Sequence, residues 1–371
     1  MTTTTTDGSP AAASTLSRAL LGAVEAVDAA GAAVLAHPAG GPAPHPSFLE
    51  PVDDAVAVLV ATSGSTGTPK AVLLPGSALR ASASAAHSRL GGPARWLLAL
   101  PAHHVAGVQV LLRSALAGDP AAVMDLREGF RADGFAAITR TAGAAYTSLV
   151  PTQLGRLLDD AEGLAALRSF AAVLLGGAAT AAPLLARARD LGVAVVTTYG
   201  MSETCGGCVY DGVPLDGVGI DLEDDGRIRL GGAVVAAGYR GAESDDFLPG
   251  RWFRTSDLGA RSADGRLEVL GRADDVIVSG GENIEPALVE RALLALPGVW
   301  EACVVGIPDA EWGARVVAAV TGAGLDPGAV RDAVAPALGR ATPRTVTVLD
   351  ALPVRGIGKP DRGAVRALLS P

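Results

Sequence analysis

TSGSTGTPK, residues 62–70, follows AVAVLVA at 55–61, an apolar run of β-type residues whose length and composition predict a buried strand. The nine residues after that strand have the composition of a loop that holds an anion. Gly64 and Gly67 allow φ > 0 and bring backbone N–H groups close to a phosphate, while Thr62, Ser63, Ser65, Thr66 and Lys70 crowd further donors into the same small volume. The spacing is not that of a Walker A loop, GxxxxGK[ST], because Pro69 precedes the lysine and Ala71 follows it. A Ser/Gly-rich surface turn is the plainer alternative.

The distribution of lysine favours the first reading. Lysine occurs only at Lys70 and Lys359, so 28 of the 30 basic residues are arginine. A chain that has drifted to arginine almost everywhere keeps lysine where a compact charge on a flexible stem is needed and a planar fork will not serve. Lys359 also lies among glycines, in PVRGIGKPDR at 353–362.

Composition bounds the function. A chain of 371 residues with 49% apolar and 19% charged residues is globular and long enough for about two or three domains. A net charge of −9 argues against nucleic acid or an anionic membrane as partner, so an anionic ligand would need a local positive site. Three cysteines without a signal peptide point to the cytoplasm, and Cys205 and Cys208, although spaced CxxC, lack the second pair of a zinc site and read as loop thiols. No apolar run reaches the length of a membrane span.

Along the chain, residues 1–13 (MTTTTTDGSPAAA) are low-complexity and read as a disordered tail. A helix is expected from Ser14, with Leu16, Leu20, Val24 and Val27 on one stripe and Ser14 or Thr15 as its cap. Residues 37–51 are proline-rich and read as a loop. Beyond the phosphate loop, strand-like runs at 71–74, 96–100, 121–124, 146–150, 171–175 and 193–198 alternate with helical segments, which implies βαβ units and a mainly parallel sheet. From 209 to 270 short runs with glycine turns suggest a β-rich subdomain, and the last hundred or so residues mix strands and helices as a small α+β module. The expected class is α/β, with a tail at 1–13, a large domain at 14–273 and a C-terminal domain at 274–371.

Several loops fall at the carboxyl ends of these strands, where open α/β sheets bind ligands. They are PAHHVAG at 101–107, GGA at 176–178 and YGMSET at 199–204; RTSD at 254–257 and GRADDVIVSGGENI at 271–284 come later, and Lys359 last. In this order the set resembles the adenylate-forming superfamily of acyl- and aryl-CoA ligases, luciferases and peptide-synthetase adenylation domains, over roughly 300 residues. YGMSETCGGCVYDGVPLDGVGI, 199–220, resembles more narrowly the o-succinylbenzoate-CoA ligases of menaquinone biosynthesis, of the compact actinobacterial kind. There are two departures. The superfamily carries a sizeable subdomain before its phosphate loop, which here opens at Thr62, and Ser256 stands where the family has glycine, which suggests an altered turn before Asp257.

The resemblance implies ATP, Mg²⁺ and coenzyme A as ligands and a two-step reaction. A carboxylate attacks the α-phosphorus of ATP, and the coenzyme A thiol then displaces AMP. It implies that Thr62, Ser63, Gly64, Ser65, Thr66, Gly67 and Lys70 hold phosphate. Tyr199 and Gly200 would meet the adenosine, Glu203 would ligate the metal, Thr204 would reach the α-phosphate, and Asp257 supported by Arg272 would bind the ribose hydroxyls. Lys359 would catalyse adenylation, His104 would gate the acyl pocket, and Asp274 would be the hinge of a mobile C-terminal domain. Gly280 and Gly281 would line the pantetheine channel. Arg113, a lone charge on an apolar segment, would meet a second substrate carboxylate, with a salt bridge to Asp125 or Glu128 as the plainer reading; Ser148, Thr152, Gly177 and Ser202 would line the acyl pocket. A different aryl- or acyl-CoA ligase, and a non-catalytic nucleotide- or acyl-CoA-binding protein, are the alternatives. A homodimer is left open.

Overall fold

The computed structural model describes residues 1–26, 32–63, 69–355 and 359–370. By contacts the chain forms two compact units. The first comprises Met1–Gly177, Ala188–Asp221 and Arg229–Arg254, and the second Thr255–Pro371 with the short stretches Ala178–Arg187 and Leu222–Ile228. The expected boundary at Asp274 therefore falls inside the second unit.

In the first unit the N-terminal tail is ordered. Thr2–Thr6 form strand β1, followed by α1 (Pro10–Glu25) and β2 (Val34–Pro38), and β1 lies parallel to β2 with Thr4 and Thr6 buried. Five threonines in a row look like low complexity, yet each is β-branched and suits a half-buried strand. Helix α1 starts earlier than expected, with Ser9 as its cap, and buries Leu16, Leu20 and Val24; Val27 lies outside the described residues. The expected loop at 37–51 begins with the end of β2.

The expected strand before the phosphate loop is β3 (Val56–Ser63), and β4 (Pro69–Pro75) pairs with it antiparallel, placing Thr62 opposite Lys70. The strand Gly238–Arg240 joins the far side of β4, completing the order β1-β2-β3-β4 and then Gly238–Arg240.

Then come α2 (Gly76–Leu90), β5 (Trp96–Leu98), α3 (Val105–Leu116), β6 (Ala122–Val123), α4 (Ala132–Ala142) and β7 (Tyr146–Leu149). They are followed by α5 (Pro151–Leu158), α6 (Ala161–Leu167), β8 (Ala172–Leu175), α7 (Ala182–Asp190) and β9 (Val195–Met201). Strands β6, β5, β7, β8 and β9 are parallel neighbours, as the βαβ alternation implies. Strands β10 (Gly206–Tyr210) and β11 (Val213–Pro214) extend the sheet antiparallel beyond β9.

In the second unit, Val299–Asp309, Gly313–Gly322 and Thr345–Val348 form a three-stranded sheet, with helices Pro286–Leu294, Pro327–Leu338 and Arg362–Leu369. Val289, Leu293, Val304 and Val320 are fully buried in one of its apolar clusters. Arg362 is held by Glu290 at 2.5 Å, Asp275 at 2.9 Å and the Val304 carbonyl at 2.7 Å. Burial alone would lower its pKa, but the two carboxylates outweigh that and raise it, so the cation is fixed.

Candidate active site

The parallel strands aim their carboxyl ends at one set of loops. Helix α3 starts just past β5 with His104 as its N-cap, Ser148 lies in β7, Thr152 opens α5, and Gly177 follows β8. Tyr199 and Gly200 lie near the end of β9. Gly200 has φ +156°, and a Cβ there would stand 2.2 Å from the Gly206 carbonyl oxygen, so only glycine lets the chain fold back this tightly.

That fold-back presents Glu203. Residues Ser202–Thr204 form a 3-10 turn. The Thr204 hydroxyl accepts from the Met201 N–H at 3.0 Å and donates to the Gly206 carbonyl at 2.9 Å. Thr204 is fully buried, so it shapes the turn in place of the expected reach to an α-phosphate. The Cys205 carbonyl accepts from Ser82 of α2 at 3.2 Å and from Gln109 of α3 at 2.7 Å, which anchors the turn to both helices. The thiols of Cys205 and Cys208 are fully buried; Cys205 lies in the turn before β10, as a loop thiol would, while Cys208 lies in β10 itself. Burial pushes both pKa values up, Cys208 to about 12.

Glu203 is 9% exposed and accepts a 2.7 Å hydrogen bond from the Tyr239 hydroxyl. The Lys70 ammonium stands 3.8 Å from the centre of the same Tyr239 ring. Strand periodicity explains the meeting. Tyr239 pairs with Val72, Lys70 shares the face of Val72, and a diagonal cross-strand neighbour is within reach of a long side chain. Burial, and then the Glu203 carboxylate, push the Tyr239 hydroxyl far above the usual phenol range and keep it a donor. The reading of the sequence missed Tyr239, since a tyrosine after glycine in a β-rich stretch carries no motif of its own. The face of β4 that carries Lys70 and Val72, opposite 239 once the pairing is known, is the signal that could have found it.

Gly64, Ser65, Thr66 and Gly67 lie outside the described residues, as do the side chains of Ser63 and Lys359. Thr62 is described, and its hydroxyl faces the Lys70 carbonyl at 3.4 Å. The Lys359 backbone pairs with Arg355.

His104 is half-buried, and its ring lies 4.4 Å from that of His103, whose Nδ1 meets the Thr6 hydroxyl at 3.1 Å. Arg113 does not join it. Nine residues on an α-helix span about 14 Å, so α3 carries Arg113 back along the sheet. Its guanidinium lies 5.2 Å from the ring of Trp96, the first residue of β5, at the amino ends of the parallel strands. Arg113 is 3% exposed, and of the two carboxylates expected as alternative partners, Asp125 pairs with Arg127.

In the second unit Asp257 pairs with Arg272 across two antiparallel strands, Trp252–Arg261 and Leu267–Arg272. Arg272 donates to Asp257 at 3.3 Å and to Asp274 at 3.0 Å. Ser256 sits in unbroken strand, without the altered turn expected from its departure from glycine. Gly280 and Gly281, at φ +59° and +81°, form the two-residue turn of the hairpin Ile277–Ser279/Glu282–Ile284, where both central residues need positive φ. A Cβ on Gly280 would meet the Trp312 ring at 2.6 Å.

Among the described residues no group of three or more His, Cys, Asp or Glu could hold a metal by itself. A single carboxylate held in orientation suits magnesium, which takes one or two protein oxygens and completes its shell with phosphate oxygens and water. No helix among the described residues is long and apolar enough to cross a membrane.

Comparison with known families gives the same picture. The model of the AMP-binding enzyme family matches residues 4–239, and that of the AMP-binding enzyme C-terminal domain matches residues 288–359. The chain belongs to the AMP-binding enzyme family. A probable 2-succinylbenzoate–CoA ligase of Mycobacterium tuberculosis is 49% identical over 340 residues, covering 87% of this chain and 89% of the relative. The o-succinylbenzoate CoA synthetase of Bacillus subtilis, solved with its acyl-adenylate intermediate, superposes with a TM-score of 0.76 at 29% identity, covering 94% of this chain and 81% of that one. The same B. subtilis enzyme with ATP and a magnesium ion gives a TM-score of 0.73 at 32% identity, covering 83% and 69%.

Proposed function

We infer that this family member is an ATP-dependent o-succinylbenzoate–CoA ligase, an acid–thiol ligase that forms the acyl-adenylate and then the coenzyme A thioester, with AMP and diphosphate released, in menaquinone biosynthesis. The observation that carries it is the convergence of Lys70 and Glu203 on Tyr239 beside the carboxyl end of β9, in a chain 49% identical to a probable ligase of this kind. A cation and a carboxylate held on the same tyrosine suit the grip of the phosphate end of a metal–nucleotide complex. Magnesium, when bound, neutralises charge on the polyphosphate.

The chain's own residues supply the rest. Lys70 and the 62–70 loop take the terminal phosphates, Glu203 holds the metal, and Tyr199 and Gly200 border the adenosine. Asp257 accepts from the ribose hydroxyls, as a carboxylate can, and Arg272 holds it in orientation. His104, Ser148, Thr152, Gly177 and Ser202 border the acyl group. Lys359 stabilises the charge that develops in adenylation, and the Gly280–Gly281 turn leaves room for pantetheine. Asp274 absorbs the backbone rotation between half-reactions, so Asp274→Pro is expected to sustain one half-reaction while losing most of the other. Assaying each half-reaction separately tests this, and normal rates in both would remove the hinge.

The substrate is tested by incubating the purified protein with Mg-ATP, coenzyme A and o-succinylbenzoate, benzoate or octanoate, and weighing the products by mass spectrometry. A thioester with o-succinylbenzoate alone is expected. Turnover of benzoate or octanoate in its place would keep the chemistry and discard the substrate. The absence of any thioester would point to a nucleotide-binding protein without catalysis.

A further inference from the structure

The Tyr239 side chain does more than fill space. Its hydroxyl donates to Glu203 at 2.7 Å, one face of its ring carries the Lys70 ammonium at 3.8 Å, and the Phe247 ring packs edge-on at 5.1 Å. The backbone around it is tied to the same two elements. Ala236 N–H donates to the Glu203 carbonyl and Ala237 N–H to the Leu73 carbonyl, both at 2.9 Å, so residues 236–239 span the Glu203 turn and strand β4. A phenol can do what neither half of it could do alone. The hydroxyl donates to an anion, while the ring face attracts a cation by its quadrupole.

We propose that Tyr239 is a positioning residue that sets Glu203 for the metal through its hydroxyl and Lys70 for the nucleotide phosphates through its ring, a role that rests on the nucleotide reading given above. The two functions are separable by substitution. Tyr239→Phe removes the donor and keeps the ring; Tyr239→Leu removes both. Loss of a hydrogen bond to a buried carboxylate frees it to rotate, and metal affinity falls. Loss of the ring frees the lysine, and affinity for the nucleotide falls even without metal.

The experiment uses the full chain and a non-hydrolysable ATP analogue. Mn²⁺ uptake by the enzyme–analogue complex is followed by electron paramagnetic resonance, and metal-free analogue binding by calorimetry. Tyr239→Phe is expected to raise the Mn²⁺ half-saturation about tenfold, the scale of one hydrogen bond to a charged group, with metal-free binding unchanged. Tyr239→Leu is expected to weaken metal-free binding as well, by roughly threefold. Thermal melts without ligand identify a variant that has lost its fold, and the Phe variant, with ring packing intact, carries the decision. Mn²⁺ half-saturation within twofold of the parent in Tyr239→Phe overturns the role of the hydroxyl. An equal loss with and without metal in that variant points to general packing and overturns it too. A parent protein that takes up no Mn²⁺–analogue complex overturns the nucleotide reading itself, and the role of Tyr239 falls with it.

Discussion

Replacing Lys359 with alanine is expected to slow adenylate formation by about 10² to 10³, the cost of removing one preorganised donor from a developing oxyanion. Thioester formation from supplied acyl-adenylate should stay within a few-fold of the parent. The expectation starts from the scarcity of lysine in a chain of arginines. In-line attack of a carboxylate on phosphorus needs no covalent enzyme intermediate, so the protein's contribution is placement and charge. An ammonium on a four-carbon stem can bridge the α-phosphate and the incoming carboxylate, whose mutual repulsion opposes the step. That repulsion is absent once the adenylate exists. The Lys359 backbone is fixed by pairing with Arg355, and three residues on, Arg362 is locked to Asp275 and Glu290. The two half-reactions are measured separately, by pyrophosphate exchange and by thioester release. Equal loss in both would end the division of labour.

Glu203→Gln should lower the adenylation rate by about 10²-fold or more at saturating Mg-ATP, with little change in thermal stability. Glutamine has the size of glutamate and can still accept from the Tyr239 hydroxyl, so the 3-10 turn is preserved. What disappears is the negative charge, and a neutral amide is a poor ligand for a hard divalent ion. The rate is to be measured across a magnesium titration beside a melting curve. A fall of less than threefold at every magnesium concentration would show that this carboxylate does not hold the metal. A melting temperature lowered by many degrees would show that its charge serves the fold.

Residues that fail to follow the sequence reading fail for physical reasons. Thr2–Thr6 have no apolar signal, and only β2 alongside them turns a polar run into a strand. Arg113 stands out in the sequence as a charge on an apolar helix, but which end of the sheet it faces depends on the direction in which α3 crosses it. Thr204 follows Glu203 directly and looks equally able to meet a phosphate, yet its hydroxyl is consumed by the turn it caps. Cys208 sits in a glycine-rich stretch that reads as a loop, and becomes a core residue because β10 adds to the edge of the parallel sheet.

Local pattern along the chain is enough to give the class of fold and the chemistry on offer. Apolar runs of strand length alternating with amphipathic helices admit few arrangements other than a parallel sheet, and an ordered series of glycine- and hydroxyl-rich loops after strands is a local property that needs no partner to be read. The two isolated lysines belong to the same layer of information. Which side chains act together depends on long-range strand pairing. Lys70, Glu203 and Tyr239 are separated by 133 and 36 residues in the chain, and they meet because Gly238–Arg240 pairs with β4 in one register. A slip of one residue would turn Tyr239 to the opposite face. Strand register and helix direction are fixed by the summed burial of the whole core, which is why no local pattern announces them.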